Sequence, residues 1–348
     1  MSYQSTIKVF RTATAAAFLG ASGLLIGHAF AAEPAPLNPP QKVKVAYVPI
    51  MKFATMYVAA DRGLFKKYGL DVDLEKVKSG TEAIAFLTQG TIDIGGIAIV
   101  TSLWNSWNRG LDVRIIAPGG LEPMKDSPTS VLLSKKAVEA GIKTLADLKG
   151  KRVGASGGPG SGAEYLVAKA LERAKLTIRD VNFVNVGDPD IPAALENGSV
   201  DAALAAPPYS EKAIQSGATI LATDLTPGLM TVAFVGSGKL VKERPQVAER
   251  FVLALTEAAR LMQGSNYFSE ENLGAYQKYT ASTAEALKAT KPAVYDPNMS
   301  IPVKGLADVE RVHRENGRTD YDKPIDLAKV VDEQFVDKAL AAIGKAKN

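Results

Sequence analysis

A seven-residue phrase that occurs twice constrains this chain more than any other feature. Leu87-Thr88-Gln89-Gly90-Thr91-Ile92-Asp93 and Leu195-Glu196-Asn197-Gly198-Ser199-Val200-Asp201 share the pattern Leu-x-x-Gly-hydroxyl-(Ile or Val)-Asp. Each copy reads as a last helical turn stopped by glycine, a turn, and entry into a buried strand. Turns of this type resemble one another in any α/β protein, so the phrase gains weight only from what surrounds it. Around the first copy, apolar spacing predicts strands at 43–48, 71–77, 92–95 and 112–117, with helices at 55–67, 81–89 and 102–109. Around the second it predicts strands at 152–155, 181–186 and 200–205, with helices at 161–174 and 188–196. Strands separated by helices at this spacing mean βαβ units on parallel sheets, hence two similar α/β lobes.

The lobes need crossings. Pro118-Gly119-Gly120 and the polar stretch to Pro128 precede a strand at 129–134, and residues 224–230 precede a strand at 231–236. Two crossings predict a two-strand hinge with a cleft between the lobes. The expected organisation is a signal peptide at 1–31, a Pro-rich leader at 32–41, the first part of lobe 1 at 42–124, lobe 2 at 125–228, and the second part of lobe 1 at 229–348. From 243 onward the chain reads as a helical extension interrupted at 291–302 and 316–324, expected to pack back on lobe 1.

Lys8 and Arg11 stand ahead of an uncharged run at 12–32, and Ala29-Phe30-Ala31 supplies the small-x-small pattern of a cleavage site. The strongly apolar part, 15–26, is shorter than the roughly 20 residues of a spanning helix. The expectation is therefore export, with a mature chain beginning at Ala32 or Glu33. Cysteine is absent, which removes disulfides, thiol nucleophiles, thiolate metal sites and a lipidated cysteine. A free periplasmic monomer fits these features. With 41 Lys and Arg against 37 Asp and Glu and no basic stripe, nucleic acid is not an expected partner.

In open α/β sheets ligands bind beyond the carboxyl ends of strands, where loops lead into helix N-termini. The candidate binding residues are accordingly Met51, Lys52 and Phe53 after the first strand, Ser79, Gly80 and Thr81 after the second, and Gly96 and Ile97 after the third. In lobe 2 they are Ser156, Gly157, Gly158 and Ser161 of a Gly-rich loop, then Asp188, then Pro207 and Tyr209. Backbone N–H groups at such loops favour an anion, and glycine allows close backbone approach. Lys52 offers a charge for a carboxylate or sulfonate, or is simply solvated. Met51, Phe53 and Tyr209 offer an apolar cover. Asp188 selects a ligand amine or caps a helix ahead of Pro189. Trp104 and Trp107, three apart, read as packing rather than pocket.

Several further stretches carry a resemblance. The run 43–48, then Tyr57-Val58-Ala59-Ala60-Asp61-Arg62-Gly63-Leu64-Phe65-Lys66-Lys67-Tyr68-Gly69-Leu70-Asp71-Val72, then Ser79-Gly80-Thr81-Glu82-Ala83 and Gly90-Thr91-Ile92-Asp93-Ile94-Gly95, resembles the ABC-importer substrate-binding proteins for nitrate, sulfonates, taurine and thiamine-pyrimidine precursors. Residues 144–154, 195–201 and 244–258 extend the likeness, which covers nearly all of 41–340. It implies a type II periplasmic binding fold, a small-molecule ligand, and delivery to a permease and its ATPase. It does not imply a substrate. The leading expectation is a small organic anion, of the sulfonate or carboxylate class; the alternative is a neutral or cationic heterocycle of the pyrimidine or thiamine-precursor type.

Enzymatic readings fare worse. Gly154-Ala155-Ser156-Gly157-Gly158 matches the nucleophile-elbow pattern at a strand-to-helix turn, which would make Ser156 a hydrolase nucleophile. A triad also needs a histidine, and beyond the leader there is only His313, within Glu310-Arg311-Val312-His313-Arg314-Glu315, which reads as a solvated face. The pyrimidine-synthesising relatives need a histidine and cysteines in their centre, and this chain has neither there. No catalytic residue, metal site or cofactor is expected.

Overall fold

The repeated phrase builds the same turn twice. Gly90 and Gly198 end helices with φ of 70° and 71°, a left-handed conformation that favours glycine. Thr91 N and Oγ1 both donate to Phe86 O (3.0 and 3.1 Å), and Ser199 N and Oγ both donate to Ala194 O (3.0 and 3.2 Å). The closing aspartates then act alike. Asp93 accepts from Lys44 N at 3.0 Å and Asp201 from Arg152 N at 2.8 Å, each across 49 residues, which pins the neighbouring parallel strand.

This geometry comes from a computed structural model, which describes Met1 and residues 34–77, 80–207, 209–289 and 291–347. The expected signal sequence and cleavage site fall on 2–33, outside the described residues. The described residues from Pro34 onward form one compact unit.

Two five-stranded sheets organise it. The first contains β1 (Gln41–Tyr47), β2 (Leu70–Lys76), β3 (Ile94–Ala98), β4 (Val113–Pro118) and β10 (Val232–Ser237), in the order β2-β1-β3-β10-β4. The second contains β5 (Ser130–Leu133), β6 (Arg152–Ala155), β7 (Asn182–Asn185), β8 (Ala202–Ala205) and β9 (Thr219–Ala222), in the order β7-β6-β8-β5-β9. In each, three parallel strands are followed by an antiparallel one, β10 or β5, that enters directly after a crossing. The chain leaves the first sheet after β4 and returns after β9.

Helices cover the sheets. In the first lobe these are α1 (Ala54–Asp61), α2 (Leu64–Lys67), α3 (Gly80–Gln89) and α4 (Thr101–Asn108). The single helix expected at 55–67 is two, because Gly63 takes a φ of 69° between them. In the second lobe lie α5 (Lys135–Glu139), α6 (Gly162–Glu172), α7 (Ile191–Asn197) and α8 (Tyr209–Gln215). The strand expected at 92–95 starts two residues later, since Ile92 and Asp93 complete the glycine turn.

The extension comprises α9 (Gly238–Glu243), α10 (Pro245–Leu261), α11 (Glu270–Thr280), α12 (Ala284–Lys288), α13 (Val303–Glu315) and α14 (Gln334–Ile343). Phe251 of α10 meets Phe65 at 5.0 Å and Phe234 at 5.8 Å between ring centroids, so α10 closes the first core. α13 is placed differently. It packs on α6 of the second lobe as well as on α4 of the first.

Candidate functional site

The loops that follow the carboxyl ends of β3 and β6, one from each sheet, meet each other. Thr101, at the head of α4, donates from N and Oγ1 to Gly160 O at 2.9 and 3.0 Å, so the loop after β3 meets the Gly-rich loop after β6 directly. Ile99 N donates to Thr231 O at 2.9 Å, which ties the same loop to the return crossing.

The head of α6 is capped by its own chain. Ser161 is the N-cap: Oγ accepts from Glu164 N and donates to Ser156 O, both at 3.0 Å. The Glu164 carboxylate, 1% exposed, accepts from Gly160 N at 2.6 Å and is gripped by Arg318, whose Nη2 stands 2.6 Å from Oε1. A negative charge thus already sits where the helix dipole would favour an anion. Gly157 and Gly158 take φ of 83° and 70°, so their lack of a side chain serves this turn whatever binds beside it.

Ser156, Asp188 and Tyr209 come together at the ends of β6, β7 and β8. The Ser156 hydroxyl lies beside the Asp188 carboxyl. Burial holds the Asp188 carboxyl above its ordinary value, and the Ser156 hydroxyl only partly offsets it. Burial and then the Asp188 charge push the Tyr209 phenol up. Asp188 opens a short 3-10 turn, Asp188–Asp190, whose N-cap is Gly187.

Other candidates have different duties. The Lys52 ammonium pairs with Glu122 and donates to Thr231 Oγ1 at 2.9 Å. Glu122 in turn accepts from Ser127 Oγ at 3.0 Å. Lys52 is therefore committed to the two crossings rather than held out to an anion. Phe53, expected as an apolar cover, is fully buried against Phe234 at 5.4 Å, because the 3-10 turn Met51–Phe53 rotates it inward. Gly96 and Ile97 lie within β3, and a side chain at Gly96 would meet the Phe53 ring at 3.3 Å; they belong to the core. Met51, Pro207 and Tyr209 are partly buried, Gly80 is buried and Thr81 is exposed. Ser79 and Pro208 lie outside the described residues. Reading loops alone missed Thr101, Glu122, Glu164, Thr231 and Arg318; Ser-x-x-Glu at 161–164 is a capping signature that could have revealed Glu164.

His313 corrects the solvated-face expectation, being 1% exposed. Its Nδ1 accepts from Trp104 Nε1 at 2.9 Å, which leaves Nε2 to donate to Ser161 O at 3.3 Å. Burial pushes its pKa down to about 4, and the Arg318 charge adds to this. Both ring nitrogens are occupied, and the Ser156 hydroxyl lies beside Asp188. A surface depression of about 810 Å³, flanked by Trp107, Arg114 and Lys242, lies by the amino end of β4, away from these loops.

Comparison with known proteins bears on the family and the fold. The family described as "NMT1/THI5 like" matches residues 50–265. A binding protein of Brucella abortus is 27% identical over 207 residues, 58% of this chain and 60% of its own length; the match thus spans about three fifths of that relative. The nitrate import ATP-binding protein NrtC of Synechocystis is 27% identical over 52% of this chain and 28% of its own. Among solved structures, the periplasmic nitrate-binding protein NrtA from Synechocystis has a TM-score of 0.73 at 17% identity, covering 89% of this chain and 90% of that one. The periplasmic aliphatic sulphonate binding protein SsuA from Escherichia coli has 0.66 at 21%, covering 83% and 97%. The desulfurization enzyme DSZB has 0.61 at 14%, covering 86% and 99%. The fold is that of the periplasmic binding proteins, and it also carries an enzyme.

Proposed function

Because the chain belongs to the NMT1/THI5-like family, we propose that it is a periplasmic solute-binding protein that closes on a small molecule and delivers it to an ABC permease and its ATPase. The observation that carries this reading is the meeting of strand-end loops from the two sheets. The chain passes between the sheets by paired crossings, and Thr101 after β3 touches Gly160 after β6. A ligand that bridges such loops adds contacts present only in the closed state, which shifts the population toward it. Export is supported by the leader sequence, and no helix among the described residues is long and apolar enough to cross a membrane. A hydrolase reading finds no support around Ser156, since the His313 ring has no nitrogen left to act as its base.

For the ligand, specific observations favour the heterocycle alternative over the organic anion. Glu164 occupies the α6 terminus, Lys52 is neutralised by Glu122, and Asp188 adds negative charge to the cleft. A thermal-shift screen over sulfonates, carboxylates, nitrate and pyrimidines tests both levels. A ligand at 100 times its Kd should stabilise by about 2.7 kcal/mol. A chain that no solute stabilises would sink the binding reading, whereas stabilisation by anions alone would restore the anion class.

A further inference from the structure

The second sheet sets β7, β6 and β8 side by side, so Asp188, Ser156 and Tyr209, which follow their carboxyl ends, are grouped at one corner of that sheet. Asp188 is half-buried and is the first residue of the 3-10 turn that follows Gly187, and burial holds its carboxyl above the ordinary value. Lys212 is exposed and stands over the Tyr209 ring, 5.5 Å from its centroid, rather than beside the carboxylate. Desolvating a carboxylate without a cation is costly, and a positive partner recovers that cost.

Resting on the solute-binding reading, we infer that Asp188, beside Ser156, selects solutes that present a positively charged, N–H-donating group, with the Tyr209 ring against the body that carries it. An amidinium-like N–C–N unit offers two parallel donors to the two carboxylate oxygens. An aromatic face beside it adds attraction for the same cation. A sulfonate or carboxylate at this corner would meet like charge, and the Lys52 ammonium is already paired with Glu122.

Benzamidine, benzamide and benzoate share one ring and differ in charge, which makes them suitable probes. Titration calorimetry on the mature chain at neutral pH should show benzamidine binding at least about tenfold tighter than benzoate. Asp188→Asn, nearly isosteric, should cost benzamidine about tenfold or more and leave benzamide within about twofold. Melting curves of Asp188→Asn and Asp188→Ala establish that both fold. Benzoate binding as tightly as benzamidine, or benzamidine binding that ignores Asp188→Asn, overturns the role of Asp188 and leaves the binding cleft standing. A chain that takes up none of the three, and no member of the wider solute screen, loses the binding reading and this inference together.

Discussion

Replacing Lys52 by methionine separates a hinge role from a ligand role. The ammonium joins the loop after β1 to both crossings, through Glu122 on the outgoing one and Thr231 on the returning one. Lys52 O also accepts from Gly120 N at 2.7 Å. The paired side chains are 17% and 4% exposed, so the modest worth of surface ion pairs does not apply. Lys52→Met keeps the aliphatic stem and leaves Glu122 with only the Ser127 hydroxyl, and breaking a buried pair in this way costs about 3–5 kcal/mol. An unfolding entropy of roughly 2.1 cal/mol/K per residue gives roughly 0.7 kcal/mol/K for a chain of this length, so Tm should fall by about 4–7 °C. Adding Glu122→Gln removes the stranded charge and should recover most of that loss. Circular dichroism melts of the wild type, both single variants and the pair provide the cycle. The reasoning fails if Lys52→Met melts with the wild type yet loses affinity for a ligand found in the screen, because Lys52 would then face the ligand.

Two other predictions concern the contact between the lobes. His313 has a folded pKa of about 4 against an ordinary 6.5, so between those values the unfolded chain binds more protons and stability must fall as the pH is lowered. The loss should approach roughly 3 kcal/mol below pH 4 and disappear from the difference between wild type and His313→Gln; parallel pH profiles would refute it. At Gly160, φ is 78° and an added Cβ would stand 2.5 Å from Thr101 Oγ1, so Gly160→Ala should cost roughly 2–3 kcal/mol in denaturant melts. At Gly158 an added Cβ meets no atom closer than 3.7 Å, so Gly158→Ala should cost only the strain of its φ of 70°, roughly 1–2 kcal/mol; equal melting of the two alanine variants would mean that the Thr101 contact contributes nothing.

The two-lobed plan was legible because its signals are local. Gly90-Thr91-Ile92-Asp93 and Gly198-Ser199-Val200-Asp201 each encode a helix stop, a hydroxyl that returns to the helix and an acid that receives the next strand, all within a few residues. The cleft was harder. Lys52 and Glu122 are 70 residues apart, and nothing near either names the other. Phe53 read as a loop residue because a single 3-10 turn, which decides its direction, carries no periodicity. His313 was hidden by its charged neighbours. Leu306, Val309, Val312 and His313 nevertheless lie on one helical stripe, and all four are buried, while Glu310 and Arg314 pair at 3.0 Å. The strand at 219–222 went unrecognised, and it is an edge strand whose first two residues are exposed.

That helix also constrains how the cleft opens. α13 and the turn after it hold the second lobe through Tyr165–Asp308 at 2.8 Å, Lys169–Asp308 at 3.2 Å, Arg311–Glu172 at 3.1 Å and the forked Arg318–Glu164 pair. They hold the first lobe through the Trp104–His313 hydrogen bond and the Arg109–Asp320 pair at 2.8 Å, in which the arginine side chain is 67% exposed. Separating α13 from α6 would strand Glu164, which is almost fully buried, and a stranded buried charge costs several kcal/mol. Separating it from α4 breaks the Trp104–His313 hydrogen bond, the exposed hydrogen bonds of Asn105 and Asn108 with Asp320 and one exposed ion pair, each worth about 1 kcal/mol or less and none leaving a buried charge behind. Opening should therefore carry α13 with the second lobe and part it from α4. Amide exchange in α4 and at the head of α13 should slow when ligand binds, while the α6–α13 contact stays protected in both states. Exchange that rises at α6 on ligand removal would place the helix with the first lobe instead.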